Sequence, residues 1–195
     1  MRLEELLNGR PPTAFSAAQL ADRAQSRWDR SQLDEAYVLF RAAAEAAPRE
    51  TGPDRSVVYL AKAAMTRHEA GDEETARRLF DYVLAFDWRS SGPALLSDAH
   101  VVEWAYVARL ERARDPATFD ALYVKAAKHC AELGWSFPRI HSKQDVVIDR
   151  AVKVGADRIV RALVDRIANR RPQSQLVRDR LQQVQRWLDT RPPPG

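Results

Sequence analysis

His100-x-x-Glu103 sets an imidazole and a carboxylate one helical turn apart, the beginning of a metal-ligand spacing. Zinc needs three or four ligands at matched spacing, and no second His or Cys pair completes the set. His129 and Cys130 are the residue types of a thiol nucleophile and its base. Adjacent residues on a helix, however, point about 100° apart. Cys130 also falls in an apolar stripe with Phe119, Tyr123 and Ala126, where a thiol is a small core group. The chain has no Gly-rich phosphate loop, no G-x-S-x-G and no paired-carboxylate motif with supporting context. These residues point away from an enzyme: no catalytic residue, metal or cofactor is expected.

The arginines are the remaining chemically distinctive group. Arg158, Arg161, Arg170, Arg171, Arg178, Arg180 and Arg186 crowd the last stretch, and from Arg139 onward 13 basic residues face 6 acidic ones. Phosphate binding needs such a patch, so nucleic acid is one reading. The other is a solvated helix pair, because Asp157, Arg161 and Asp165 are spaced for intrahelical ion pairs. Stacking aromatics are nearly absent there, which favours the solvated face.

Composition bounds the rest. The 195 residues suffice for one sizeable domain or one short solenoid with a real core. Apolar residues at 45%, only 7 Gly, and 11 Pro lying mostly outside the periodic segments describe a helical protein. No apolar run approaches the roughly 18–20 residues of a membrane span. Met1–Leu7 lacks an apolar signal core, and the one cysteine forms no internal disulfide, so a cytoplasmic protein without membrane contact is expected.

Helical periodicity supplies the elements that must position these residues. Ser16-x-x-Gln19 reads as a capping box that opens a helix reaching about Asp29. Its partner carries Leu33, Ala36, Tyr37, Phe40, Ala43 and Ala44 at three- and four-residue spacing and stops at Pro48. A second pair follows, with Gly71-Asp72 at its turn and Ala76, Leu79, Phe80 and Val83 on its second helix. A third pair starts at Ser97 or Asp98, and Asp115-Pro116 opens its second helix. Gly134–Pro138 is a loop holding two aromatics. The fourth pair turns at Gly155, and a last amphipathic helix with Leu181, Val184, Trp187 and Leu188 either caps the stack or meets a second copy. The expectation is an all-α chain of nine or ten helices in antiparallel hairpins, forming one domain over 1–195. Its pairs lie at about 16–48, 56–88, 97–133 and 142–172, with a capping helix at 174–190 and a tail at 191–195.

The pattern resembles the tetratricopeptide repeat (TPR) family. Ala36, Phe40, Ala43 and Pro48 match its second-helix positions, and Ala64, Gly71, Ala76 and Phe80 match the next copy, with Trp88 where the closing Pro would stand. The copies are offset by 40 residues rather than about 34. The Trp-x-x-Leu-Gly signature of the family's first helix is replaced by Leu20, Arg23 and Ala24, then by Leu60, Ala63 and Ala64. The resemblance implies a solenoid whose first helices line a concave groove that holds a protein or peptide. By position, the groove would present Ala18, Ala21, Gln25, Trp28 and Asp29, then Val58, Ala61, Met65, His68 and Glu69.

The expected function is therefore a non-catalytic interaction module. Its partner-binding residues are Gln25, Trp28, Asp29, Met65, His68 and Glu69, together with Trp135 and Phe137 if that loop is exposed. Two alternatives stand beside it: an immunity or antitoxin-type protein that plugs a cognate toxin, and a nucleic-acid binder using the Arg-rich C-terminal helices. The sequence leaves the partner's identity and the oligomeric state open.

Overall fold

The computed structural model describes residues 3–51, 54–139, 141–169 and 175–191. Among them the chain is helical, with no strand. In order, the helices are α1 (Leu3–Leu6), α2 (Ala17–Trp28), α3 (Leu33–Ala46), α4 (Ser56–Glu69), α5 (Glu73–Ala85), α6 (Pro93–Leu96), α7 (Val101–Arg112), α8 (Pro116–Glu132), α9 (His141–Val154), α10 (Asp157–Ala168) and α11 (Gln175–Asp189). The expected Gly52-Pro53 break, the end of the fourth pair at 170–172, the Ser174 cap and the tail from 192 fall outside the described residues. The chain divides into two compact units, residues 1–105 and 106–195. The first holds 13 basic and 17 acidic residues, the second 18 and 10.

In the first unit α3 packs closely on α2, α4 on α3 and α5 on α4. Alanine makes this possible. Ala21, Ala24, Ala36, Ala43, Ala61 and Ala64 are all buried, and side chains this small let helix axes approach to about 8 Å. Phe40 and Phe80 fill the space that the alanines leave between layers, and both are fully enclosed. Helix α4 is buried on most of its circumference, from Val57 and Val58 to Met65 and Thr66, because it lies between α3 and α5.

The helix ends follow the local signals. Ser16 and Gln19 form the expected capping box: Gln19 N donates to Ser16 Oγ at 3.1 Å, and Ser16 N donates to Gln19 Oε1 at 2.9 Å. Asp115 caps α8 by accepting from Thr118 N at 2.8 Å. Ser97 and Asp98 do not cap α7. The Ser97 hydroxyl donates back to the Ala94 carbonyl at 2.7 Å, and Asp98 pairs with Arg55 at 3.3 Å. Trp88, in the slot of the closing Pro, is buried and donates from Nε1 to the Val83 carbonyl at 3.1 Å. That satisfies one of the carbonyls that the end of α5 leaves open.

The two hairpin turns of this unit are copies of each other. Gln32 N donates to the Arg27 carbonyl and Asp72 N to the Arg67 carbonyl, each at 2.9 Å, around a residue of positive φ. That residue is Gly71 in the second turn, at φ +80°, but Ser31 in the first, at φ +59°. A side chain in the left-handed region costs about 1 kcal/mol. Ser31→Gly is therefore expected to stabilise the first unit by about 0.5–1 kcal/mol, and Gly71→Ala to destabilise it by about 1 kcal/mol. Urea midpoints of the two variants against wild type measure both signs.

In the second unit α9 packs on α8, α10 on α9 and α11 on α10. Phe119, Ala126 and Cys130 on α8 join Val147, Ile148 and Ala151 on α9 in the buried set, with Ile159, Val160, Leu163, Val164 and Ile167 on α10. Val184 and Leu188 bury the apolar side of α11, as its amphipathic pattern requires.

Candidate functional site

The turn geometry places the ends of α2 and α4 side by side, and the side chains there interlock. Trp28, the last residue of α2, donates from Nε1 to Glu69 Oε2, the last residue of α4, at 2.6 Å. Its ring meets Phe40 edge to face with 5.9 Å between centroids. One turn back, Lys62 Nζ donates to Gln25 Oε1 at 3.3 Å, and Gln25 Nε2 donates to Asp29 Oδ1 at 3.0 Å. The Lys62 ammonium also lies 5.5 Å from the centre of the Phe40 ring. Burial holds this ammonium below the usual lysine range, against Asp22, Asp98 and Asp29, which favour its charged form.

Four of the expected contact residues, Gln25, Trp28, Asp29 and Glu69, thus lie together on one face. Met65 does not join them: it is only 9% exposed, because α4 is enclosed by its neighbours. The same enclosure buries Val58 and Ala61 of the expected groove, and Ala21 on α2 is buried as well. His68 is half-buried, with its ring edge-on to Phe80 at 6.5 Å. Asp22 and Lys62 belong to the face although their spacing did not single them out. The signal was the offset itself: Asp22 and Lys62 are 40 residues apart, as are Trp28 and His68, so they are equivalent positions on adjacent stacked pairs.

The loop after α8 divides its two aromatics. Trp135 is half-buried, with the Arg139 guanidinium 6.0 Å from its ring. Phe137 is 2% exposed and packs edge-on against Tyr123 at 5.5 Å and Tyr106 at 6.2 Å. Phe137 is therefore a core residue of the second unit, not a contact residue. Its carbonyl accepts from Tyr123 Oη at 3.3 Å and from Arg166 Nη1. The Pro138 carbonyl accepts from Gln144 Nε2 at 3.0 Å and Arg166 Nη2 at 3.3 Å. These donors from α8, α9 and α10 fix the loop.

The residues weighed for catalysis have other surroundings. Cys130 is fully buried, and His129 Nδ1 lies 3.1 Å from Tyr106 Oη. Burial first, then Cys130 and Glu132, push the Tyr106 phenol up to about 12. A raised phenol contributes stability that is complete below the unfolded pKa near 10 and is lost as pH climbs from about 10 through about 12. Tyr106→Phe is expected to flatten that alkaline decline, read from urea midpoints between about pH 9 and pH 11.5. Glu103 is buried and His100 stacks edge-on to Trp104 at 5.2 Å. Among the described residues no group of three His, Cys, Asp or Glu is arranged to hold a metal ion.

Three arginines of the patch are drawn into the second unit's own contacts. Arg158 pairs with Asp120 at 3.2 Å, Arg180 pairs with Asp149, and Arg178 donates to Gln175 at 2.6 Å. Arg158 and Arg180 thus pair across helices, not along one. Arg170 and Arg171 lie outside the described residues, and Arg186 is exposed. A shallow cleft of about 330 Å³ lies between α3 and the α4–α5 turn, lined by Asp34, Tyr37, Val38, Arg67, Asp72 and Thr75. Its charges are already used: Arg67 pairs with Asp34 at 2.8 Å over the Tyr37 ring, and Asp72 caps α5. No helix among the described residues is long and apolar enough to cross a membrane.

No protein-family model matches the chain, and neither a curated protein nor a solved structure matches it.

Proposed function

We propose that the chain is a TPR-like helical-repeat interaction module without catalytic activity, and that it engages a protein or peptide through the α2–α4 face. One observation carries this reading. Side chains from α2 and α4, the first helices of the two copies, interlock through the Trp28–Glu69, Gln25–Lys62 and Gln25–Asp29 hydrogen bonds and form a polar and aromatic face. Trp28 is held by Phe40 and Glu69, so a partner would meet a ring that is already ordered and loses little entropy on contact. Binding by an ordered aromatic with polar groups around it is typical of interface centres.

A photo-crosslinking amino acid placed at Asp29, expressed in the native host, tests the reading. The same group at Tyr82, 53% exposed on α5, is the control. Both positions face water, so neither substitution disturbs the core. A discrete crosslinked partner at Asp29 and none at Tyr82 is expected. Crosslinks from Tyr82 alone would overturn the assignment of the face. Whether the captured protein is a toxin or another client is read from its identity.

A further inference from the structure

We propose that Asn8 is a covalent modification site, where the chain converts without a catalyst to aspartate and isoaspartate through a succinimide. Asn8 and Gly9 form the exposed turn after α1, at φ +55° and +74°. Asparagine and glycine are among the residues that enter this left-handed region most readily. The pairing also sets a side-chain amide next to a backbone nitrogen whose own residue has no side chain to crowd it. Among the described residues, the Gly9 N–H donates no hydrogen bond and the Asn8 side-chain amide makes none. Beyond the chain neighbours of Gly9, no described heavy atom lies within 4 Å of the place a Cβ would take. Rotation of the Asn8–Gly9 peptide, which brings the nitrogen to Asn8 Cγ, therefore works against two flanking hydrogen bonds. They run from Asn8 N to the Glu5 carbonyl at 3.3 Å and from Arg10 N to the Leu7 carbonyl at 3.2 Å. Both belong to an exposed turn, where local opening costs little.

The conversion balances with water alone. The Gly9 nitrogen gives its proton to hydroxide and bonds to Asn8 Cγ. The Cγ–Nδ2 bond breaks, and ammonia leaves with a proton taken from water. Water then adds to an imide carbonyl and reopens the ring. Opening at Cγ gives aspartate, and opening at the main-chain carbonyl gives isoaspartate, whose backbone runs through the former side chain. Either product puts a carboxylate directly after Leu7, which is buried and, with Leu6, anchors α1 in the core cluster on α3. Isoaspartate also lengthens the main chain next to that anchor. The second asparagine of the chain, Asn169, is an internal control: it is followed by Arg170, and its N–H is bonded to the Asp165 carbonyl at 3.1 Å.

The test ages the full chain in buffer at neutral and alkaline pH, and in denaturing urea, and follows both asparagines by peptide mapping with mass spectrometry. The Asn8 peptide is expected to divide into aspartate and isoaspartate forms while Asn169 stays intact. Its rate in buffer is expected to lie within roughly 10-fold of its rate in urea, because an open site needs less than about 1.4 kcal/mol to reach the reactive conformation. The rate should rise with pH, since the attacking nitrogen must first lose its proton. A rate in buffer more than about 10-fold below that in urea means that the fold protects Asn8, and overturns the inference. Equal conversion at Asn169, or a rate indifferent to pH, overturns it as well, because neither Gly9 nor its nitrogen would then direct the reaction.

Discussion

Phe40→Ala is expected to cost the first unit about 3–5 kcal/mol, the range for deleting a fully buried phenylalanine ring. Alanine cannot fill the space that the ring occupies between Trp28 of α2 and Lys62 of α4, in a cluster that also holds Leu20 and Leu39. The loss reaches the candidate face directly. Phe40 supports the Trp28 ring at 5.9 Å and lies 5.5 Å from the Lys62 ammonium. Phe40→Leu keeps most of the volume and is expected to lose less than about 1.5 kcal/mol. Urea unfolding followed by tryptophan fluorescence measures both. A Phe40→Ala loss under about 1 kcal/mol would mean that the interlayer space is not filled as described.

Arg166→Met should destabilise the second unit by about 2–4 kcal/mol, through a different mechanism. The guanidinium donates to the Phe137 and Pro138 carbonyls, and hydrogen bonds from a charged donor contribute about 1.5–3 kcal/mol each, less than additively when shared. Methionine retains the aliphatic volume, so the loss isolates the polar contribution. Tyr123 and Gln144 would each remain as one neutral donor to the same two carbonyls. A double-mutant cycle with Gln144→Leu is expected to show a coupling of about 0.5–3 kcal/mol, because both side chains serve Pro138. Additive losses would sink the idea of a shared clamp. Denaturant midpoints supply the energies, and faster amide exchange across 134–139 would locate the effect.

These two residues differ in how readable they were. Phe40 announces itself in the sequence, since Ala36-x-x-x-Phe40 recurs as Ala76-x-x-x-Phe80 within a helical stripe. Arg166 carried no such mark. Its role depends on where the loop carbonyls of Phe137 and Pro138 arrive, 29 and 28 residues earlier in the chain, and no local periodicity encodes that meeting. The same contrast separates the contact residues. Trp28 and Met65 looked alike as apolar anchors on first helices. Trp28 is at the end of a peripheral helix and stays half-exposed, whereas Met65 is on α4, between α3 and α5, and is enclosed.

By itself, the sequence determined the helical class, the capping box at Ser16, the N-cap at Asp115 and the shared turn at Ser31 and Gly71. All of these are set by interactions within about six residues, so short-range propensity and spacing suffice to encode them. Tertiary structure alone decided that Phe137 is core, that Arg158, Arg180 and Arg166 are spent on Asp120, Asp149 and loop carbonyls, and that Lys62 meets Gln25 beside Trp28. Each of those outcomes depends on contacts between helices distant in the chain, where burial and charge pairing are fixed by which neighbour arrives.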